Sequence, residues 1–326
     1  MVKAAGEGTE ENPQGGPENV ITESRLNKIL HSGNFAVTAE CGPPKGADPE
    51  VVRNKGKLLK GYVDSANVTD NQTGVVRLCS LAACALLKAE GLDPVLQMVT
   101  RDRNRIALQS DVLGASALGI RNILCLSGDH QSFGNQPQAK GVFDIDSVQL
   151  IQAVRQMRDA GEIIGGEKLT APPQLFIGAV ANPFADPFKY RAARLATKVE
   201  AGAEFIQTQC IFNLKRFKEW MDLVRDYGMD NKVFILGGIT PLKSARMAEY
   251  MAKQVAGMDV PEEIISRMKA APAKEQRQEG IKIAVETIQA LQEMKGVHGV
   301  HIMAIEWEDV VSQIVQEAKL FPRPQV

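Results

Sequence analysis

Eight short apolar runs punctuate the chain, and each carries a polar group at or near its C-terminal end. "NFAVTAECG" (34–42), "VDSANVTD" (63–70), "PVLQMVT" (94–100) and "NILCLSGD" (122–129) are the first four. "QLFIGAVAN" (174–182), "EFIQTQCIF" (204–212), "KVFILGGIT" (232–240) and "GVHIMAIEWE" (299–308) complete the set. Near-continuous Val, Ile, Leu and Phe, rather than strict alternation, predicts parallel strands buried on both faces.

Helical periodicity fills the gaps. Asn213 is a candidate N-cap for a helix over 213–227, in which Leu214, Phe217, Met221 and Val224 share one face. Val311, Ile314, Val315 and Ala318 repeat the pattern over 308–320, and Ile281, Val285, Ile288 and Leu291 form a third stripe. Further helices are predicted near 20–31, 49–60, 77–90, 103–118, 146–159 and 187–202. "GLDPV" (91–95) shows the punctuation, with Gly ending a helix and Asp-Pro turning the chain into the next strand.

Strands alternating with helices, eight times over, predict an α/β fold: a single-domain (β/α)8 TIM barrel. An open doubly wound sheet is the alternative, but no Gly-x-Gly-x-x-Gly follows the first strand. The stretch 254–296 is too long for one helical return and predicts extra helices between strands seven and eight.

A parallel barrel places its site at the C-terminal ends of its strands. Read there, the chain offers Glu40, Thr69-Asp70, Thr100-Arg101-Asp102, Asp129, Asn182, Gln209, Thr240 and Glu306. Asp129 would end a buried strand because that end opens into a pocket. Glu40 would lie inside the mouth, where burial raises a carboxyl pKa and suits a general acid near neutral pH. These residues alone leave several chemistries open. A glycosidase pair is one, disfavoured because only 5% of the chain is aromatic. His298 and His301 form an H-x-x-H, but a spacing of three on a strand points them to opposite faces, so no metal site is expected.

Bulk properties narrow the picture further. Lys plus Arg is 38 and Asp plus Glu is 39 in 326 residues, which argues against a broad nucleic-acid surface. No apolar run approaches the ~18 residues of a membrane span. Residues 1–20 are Gly-, Glu- and Pro-rich without an apolar segment, so a mobile tail and a cytoplasmic location are expected. Cys41, Cys79, Cys84, Cys125 and Cys210 are odd in number and lack Cys-x-x-Cys spacing, which argues against disulfides or a zinc knuckle.

"TAECGPPKG", "SANVTDNQTG", "GIRNILCLSGD", "TKVEAGAEFIQTQCIFN" and "LGGITPLKS" together resemble the methylenetetrahydrofolate reductase family, in order and spacing, from about residue 35 onward. The resemblance implies a catalytic barrel with a flavin in its mouth, FAD or alternatively FMN. It implies hydride transfer that reduces 5,10-methylenetetrahydrofolate to 5-methyltetrahydrofolate, and so a place in one-carbon metabolism and methionine biosynthesis. It makes Glu40 the acid that protonates N10 and Asp129 the group that stabilises the iminium. It places Gln209, Ala245 and Trp307 at the substrate. Thr69, Thr100, Ser127, Gly128, Asp129, Phe143, Asn182 and Lys198 fall at the flavin. The departures are Ser127 for an Arg, Asn182-Pro183 for His-Pro, Ala245 for a Phe and Trp307 for an Arg. They bear on the electron donor, which could be NAD(P)H or a partner redox subunit. Competing readings are an electron-accepting subunit of a larger complex and another pterin barrel, such as a corrinoid-linked methyltransferase. A homo-oligomer is also compatible.

Overall fold

The computed structural model describes residues 23–255 and 257–326. The expected tail, 1–20, lies outside them. Eight parallel strands close in sequence order into a barrel. They are β1 (Ala36–Cys41), β2 (Ser65–Val68), β3 (Pro94–Val99), β4 (Asn122–Leu126), β5 (Phe176–Ala181), β6 (Phe205–Cys210), β7 (Phe234–Ile239) and β8 (Gly299–Ile302). Helix α1 (Arg25–His31) precedes β1, and α2 (Pro49–Leu59), α3 (Ser80–Ala89), α4 (Arg105–Ala117), α5 (Ser147–Arg155), α6 (Tyr190–Ala201) and α7 (Leu214–Asp226) follow β1 to β6 in turn. Three more, α8 (Ala245–Gln254), α9 (Glu262–Ala270) and α10 (Gln276–Gln292), separate β7 from β8, and α11 (Val310–Glu317) follows β8. The first of the three begins ahead of the segment that the sequence predicted.

Local chemistry explains the helix starts. Ser24 caps α1 by accepting from Asn27 N, Asp48 caps α2 ahead of Pro49, and Asn213 caps α7 by accepting from Arg216 N at 3.0 Å. Asp146 and Gln149 form a reciprocal capping box on α5. Each cap satisfies backbone donors that the first helical turn leaves without partners.

One apolar layer lies between the barrel and its helices, where the predicted stripes of α7, α10 and α11 are buried. A second fills the lower barrel. Leu26, Ile29 and Leu30 of α1 plug the N-terminal end against Ala36, Val95, Leu124, Phe176, Phe205, Phe234 and Leu236. Leu26 and Ile29 are fully buried, each contributing about 1.5–3 kcal/mol by area. Phe176 and Phe205 stack with centroids 4.9 Å apart. Gly178 is what admits that ring, because a Cβ there would lie 2.2 Å from Phe205 Cζ.

The C-terminal segment is tied under the barrel. Arg323 reaches the buried Asp64 carboxylate through Nε and Nη2, at 3.1 and 2.5 Å, and donates to Phe35 O at 2.7 Å. Asp64 also accepts from Val37 N at 2.8 Å and from Arg25 Nη2 at 3.1 Å.

The eighth strand is shorter than the sequence suggested. It ends at Ile302, and Glu306 sits on an exposed loop with φ 50° rather than on a strand end. The apolar character of "MAIEW" continues past the sheet into that loop, which is why hydropathy overran the strand.

Candidate active site at the C-terminal mouth of the barrel

Residues of one face of a strand recur every second position. On β1 that face carries Ala36 in the apolar plug, then Thr38, then Glu40. On β6 it carries Phe205, Gln207 and Gln209. The barrel interior therefore changes from apolar to polar as the strands rise toward their C-terminal ends.

The polar layer is internally hydrogen bonded. Asn67 Nδ2 donates to Gln207 Oε1 at 2.6 Å, and Gln207 Nε2 donates back to Asn67 Oδ1 at 3.0 Å. Gln207 Nε2 also lies 3.2 Å from Thr38 Oγ1, which meets His301 Nδ1 at 2.9 Å. Burial pushes the His301 pKa down to about 3, so its ring is neutral. A neutral ring suits the hydroxyl of Thr38. His298, three residues earlier, is instead bonded to Ile235 N at 3.2 Å and stands edge-on to Phe234.

Above this floor opens a cavity of about 360 Å³, within the range of small-molecule sites. Glu40, Asn182, Lys198 and Gln209 all line it, so four of the sequence-predicted residues share one chamber. Gln97, Gln207, His301, Arg191 and Arg194 line it as well. Of these, the sequence singles out His301 alone, and there only as half of an H-x-x-H; Gln97, Gln207, Arg191 and Arg194 are not singled out. Gln207 was legible only through its i, i+2 relation to Gln209, and the arginines only through their place on α6.

Glu40 is 8% exposed. Burial, chiefly, pushes its pKa up to about 7, and nearby Glu308 adds to the rise. A hydrogen bond from Gln72 Nε2, long at 3.4 Å, and the charges of Lys55 and Arg77 oppose it. The carboxyl is thus poised to hold a proton at neutral pH.

Lys198 is also 8% exposed, and burial brings its pKa down to about 8, helped by Arg194. Its Nζ donates to Val180 O at 2.5 Å. Asn182 Oδ1 accepts from Phe184 N and Ala185 N at 3.0 and 3.2 Å, which fixes the loop after β5. Gln209 turns its Oε1 onto Cys210 N at 3.0 Å, where the β6–β7 register shifts.

Thr69 and Thr100, just past β2 and β3, are buried, and neither hydroxyl has a partner. A buried hydroxyl without a partner costs free energy unless a ligand completes it. Neither threonine lines the cavity. As hydroxyls just past two strand ends, together with the three cations that do line it, they make a donor set that suits a flavin, which offers ring heteroatoms and an anionic phosphate. Thr69, Thr100, Lys198, Arg191 and Arg194 are the residues that would hold it.

The remaining predicted residues lie on the rim. Gly128 takes φ 83° and turns the chain outward, so Asp129 is exposed rather than facing the cavity. Its carbonyl accepts from Arg101 Nη1 at 2.9 Å, and Ser127 O accepts from Arg101 N at 3.2 Å. Phe143, with φ 41°, is exposed and bonds Thr100 O through its backbone at 3.2 Å. Ala245 opens α8, and its N–H is taken by Gln276 Oε1 at 3.0 Å. Trp307, on the loop after β8, lies under Lys243 and Arg277, at 5.9 and 5.6 Å from its ring centroid. Neither Ala245 nor Trp307 lines the cavity.

The sequence profile described as methylenetetrahydrofolate reductase matches residues 25–319. The chain belongs to the methylenetetrahydrofolate reductase family. It is 27% identical over 308 residues to Methylenetetrahydrofolate reductase 2 of Schizosaccharomyces pombe, covering 90% of this chain and 47% of that protein. It is 22% identical over 316 residues to the probable methylenetetrahydrofolate reductase (NADPH) of Caenorhabditis elegans, covering 92% and 45%. The chain thus spans about half the length of the curated relatives it matches. In fold it is similar to a Clostridium thermocellum protein that binds two copies of 5-methyl-5,6,7,8-tetrahydrofolic acid, with a TM-score of 0.58 at 15% identity, covering 92% of this chain and 99% of that one. Among the described residues of this family member, no helix is long and apolar enough to cross a membrane.

Proposed function

We propose that this chain is a flavin-dependent oxidoreductase that converts 5,10-methylenetetrahydrofolate to 5-methyltetrahydrofolate. The observation that carries the reading is Glu40, a buried carboxyl with a pKa raised to about 7, in one chamber with Gln209 and Lys198. The substrate's five-membered ring must open before its carbon can be reduced, and opening requires a proton on N10. Glu40 donates it, as a general acid matched to neutral pH. Gln209 offers a donor and an acceptor to the pterin edge once its side chain leaves Cys210 N. Asp129, exposed at the rim, supplies negative charge to the iminium that ring opening creates once the loop after β4 carries it over the chamber. Bound reduced flavin would supply the hydride that this cation takes up. Lys198, with Arg191 and Arg194, holds the cofactor's phosphate, and the Thr69 and Thr100 hydroxyls bond its polar edge. The folate-binding barrel of similar fold supports the choice of substrate.

The test is the absorption spectrum of the purified chain, with mass spectrometry of the released cofactor. A yellow protein that releases FAD or FMN is expected. A folded protein that takes up neither flavin contradicts the reading and returns the chain to the flavin-free pterin barrels.

A second reading concerns the electron donor. Trp307 stands where the family resemblance expects an Arg, and its ring is occupied by Lys243 and Arg277. Ala245 offers no aromatic face. Neither is suited to stack a nicotinamide, which favours delivery of electrons by a partner subunit.

A further inference from the structure

Glu40 borders two spaces. One is the main chamber. The other is a side cavity of about 20 Å³, lined by Glu40, Gly42, Lys55, Gln72, Arg77, Ile305, Glu306 and Glu308. That cavity shares Gly42, Lys55, Arg77, Glu306 and Glu308 with an outer cleft of about 500 Å³. The cleft also takes in Lys45, which with Glu306 is exposed, so it opens to solvent.

Folate reduction consumes one proton from Glu40 in every turnover. Flavin and folate bound together in the mouth would close that route to solvent for the carboxyl. The side cavity touches it from another direction. A space of ~10–15 Å³ or more holds one water if it has two to four polar partners. Glu40, Gln72, Lys55, Arg77 and Glu308 provide them.

Resting on the folate-reductase reading, we infer that Glu40 is recharged from the side, through one water and Glu308, from the cleft walled by Lys55 and Arg77. The step balances. An acid in the cleft gives its proton to Glu308. Glu308 passes a proton to the cavity water, and the water passes one to the Glu40 carboxylate. Glu308 then returns to its ion pair with Lys55, whose Nζ lies 2.5 Å from Glu308 Oε1. Lys55 also donates to Gly42 O at 3.1 Å, and Arg77 Nη1 to Pro43 O at 3.0 Å, so both walls of the passage are anchored. The groups facing the Glu40 carboxyl here are Lys55 from α2, Gln72 and Arg77 from the loop after β2, and Glu306 and Glu308 from the loop after β8. Glu308 is a relay residue, since it lines the side cavity and the cleft but not the main chamber.

Gly42 supplies a plug. A Cβ built there meets no atom within 4 Å, and its φ is not in the left-handed range. Gly42→Val therefore adds bulk on the open, cleft side of the passage while leaving every charge in place. Glu308→Gln is the second variant, and it removes the relay while keeping a hydrogen-bond partner for Lys55. The experiment compares two rates in the flavin-loaded chain. One is a single turnover of the chemically pre-reduced protein with 5,10-methylenetetrahydrofolate. The other is continuous oxidation of 5-methyltetrahydrofolate with a soluble quinone as acceptor, in which the same proton must leave Glu40 each cycle.

Both variants are expected to complete the single turnover using the proton already on Glu40. Continuous turnover should fall by about 10²-fold, the low end of what loss of a positioned proton-transfer group costs. Raising the concentration of imidazole buffer should restore the Glu308→Gln rate, which a merely structural lesion would not allow. Wild-type continuous turnover in both variants, without buffer dependence, overturns the relay and leaves the folate reading standing. If one variant does not fold, the other decides alone. A wild-type protein that completes no single turnover overturns both.

Discussion

Asn67 and Gln207, on strands from opposite sides of the barrel, exchange two amide hydrogen bonds of 2.6 and 3.0 Å. That reciprocal pair, with Thr38 and His301, is the floor on which the chamber rests. A buried network of this kind is stabilising only when every member is satisfied.

Replacing one member should therefore cost more than replacing both. Gln207→Leu leaves the Asn67 amide unpaired and should destabilise the fold by about 1–3 kcal/mol. The Asn67→Leu, Gln207→Leu double variant should recover part of that loss. Urea unfolding of the four proteins checks it, and additive losses would show that the pair is not coupled.

Glu40 should cost stability as pH rises. Its folded pKa of about 7 lies above the ordinary 4.5, so between those values the native state binds more protons than the unfolded chain. Stability from this group is complete below 4.5 and is lost as pH climbs through 7. Glu40→Gln removes the penalty, so above pH 7 the variant should be the more stable protein, by up to about 3 kcal/mol, and below 4.5 the gain should vanish. Thermal unfolding across that pH range measures the difference. An equal gain at every pH would mean that Glu40 does not titrate as a buried acid.

Much of this was legible from the chain alone. Parallel strands buried on both faces announce themselves as apolar runs, and Asn213 followed by Leu214, Phe217, Met221 and Val224 marks a capped amphipathic helix. Resemblance brought Glu40, Asn182, Lys198 and Gln209 into one list, and the fold brings them into one chamber. What stayed hidden depends on loops and on side-chain direction. Hydropathy cannot tell that Gln207 points into the barrel, since a polar residue within a strand reads equally as outward-facing. It cannot tell that Gly128 turns Asp129 out to the rim. Nor does it show that "MAIEW" leaves the sheet after Ile302. Lys55 and Glu308 lie more than 250 positions apart in the chain, and only barrel closure between β1 and β8 unites them.

Lys198 should govern cofactor binding. Its buried amine has a pKa near 8, and an anionic phosphate beside it would favour the charged form. Lys198→Met should weaken flavin binding by about 1.5–3 kcal/mol, the value of a hydrogen bond to a charged group. Reconstitution of the apoprotein at pH 9 should be weaker than at pH 7 and should take up protons. Isothermal titration in two buffers of different ionisation enthalpy reads both effects, and pH-independent binding would remove Lys198 from the phosphate site.

The pair of Arg103 with Asp70 is structural. Asp70 is fully enclosed and accepts from Arg103 Nη1 at 2.6 Å and Nη2 at 3.1 Å, and from Val99 N at 3.0 Å. Arg103→Met strands a buried carboxylate and should cost about 3–5 kcal/mol. Denaturant unfolding tests it, and a loss below about 1 kcal/mol, the scale of an exposed pair, would show that solvent reaches Asp70.

Direct reduction by nicotinamide cofactors should be poor. We propose that the aromatic face the family resemblance expects at position 245 serves the donor. An aromatic pair is worth about 0.5–1.5 kcal/mol beyond its area, so its absence should weaken donor binding by up to roughly tenfold. Trp307 does not replace it while its ring packs against Lys243 and Arg277. Anaerobic stopped-flow with NADH and NADPH, followed at the flavin band, should show slow, non-saturating bleaching. Rapid saturable bleaching would make the chain self-sufficient.

The most direct measurement is the anaerobic oxidation of the chemically reduced, flavin-loaded protein by 5,10-methylenetetrahydrofolate, in wild type and in Glu40→Gln, across pH. If Glu40 is the proton donor, the wild-type rate falls as pH rises through about 7. The variant should then bind flavin normally, react about 10²–10⁴ times more slowly and lose that dependence. A Glu40→Gln protein that reoxidises at the wild-type rate with the wild-type pH profile would contradict the account.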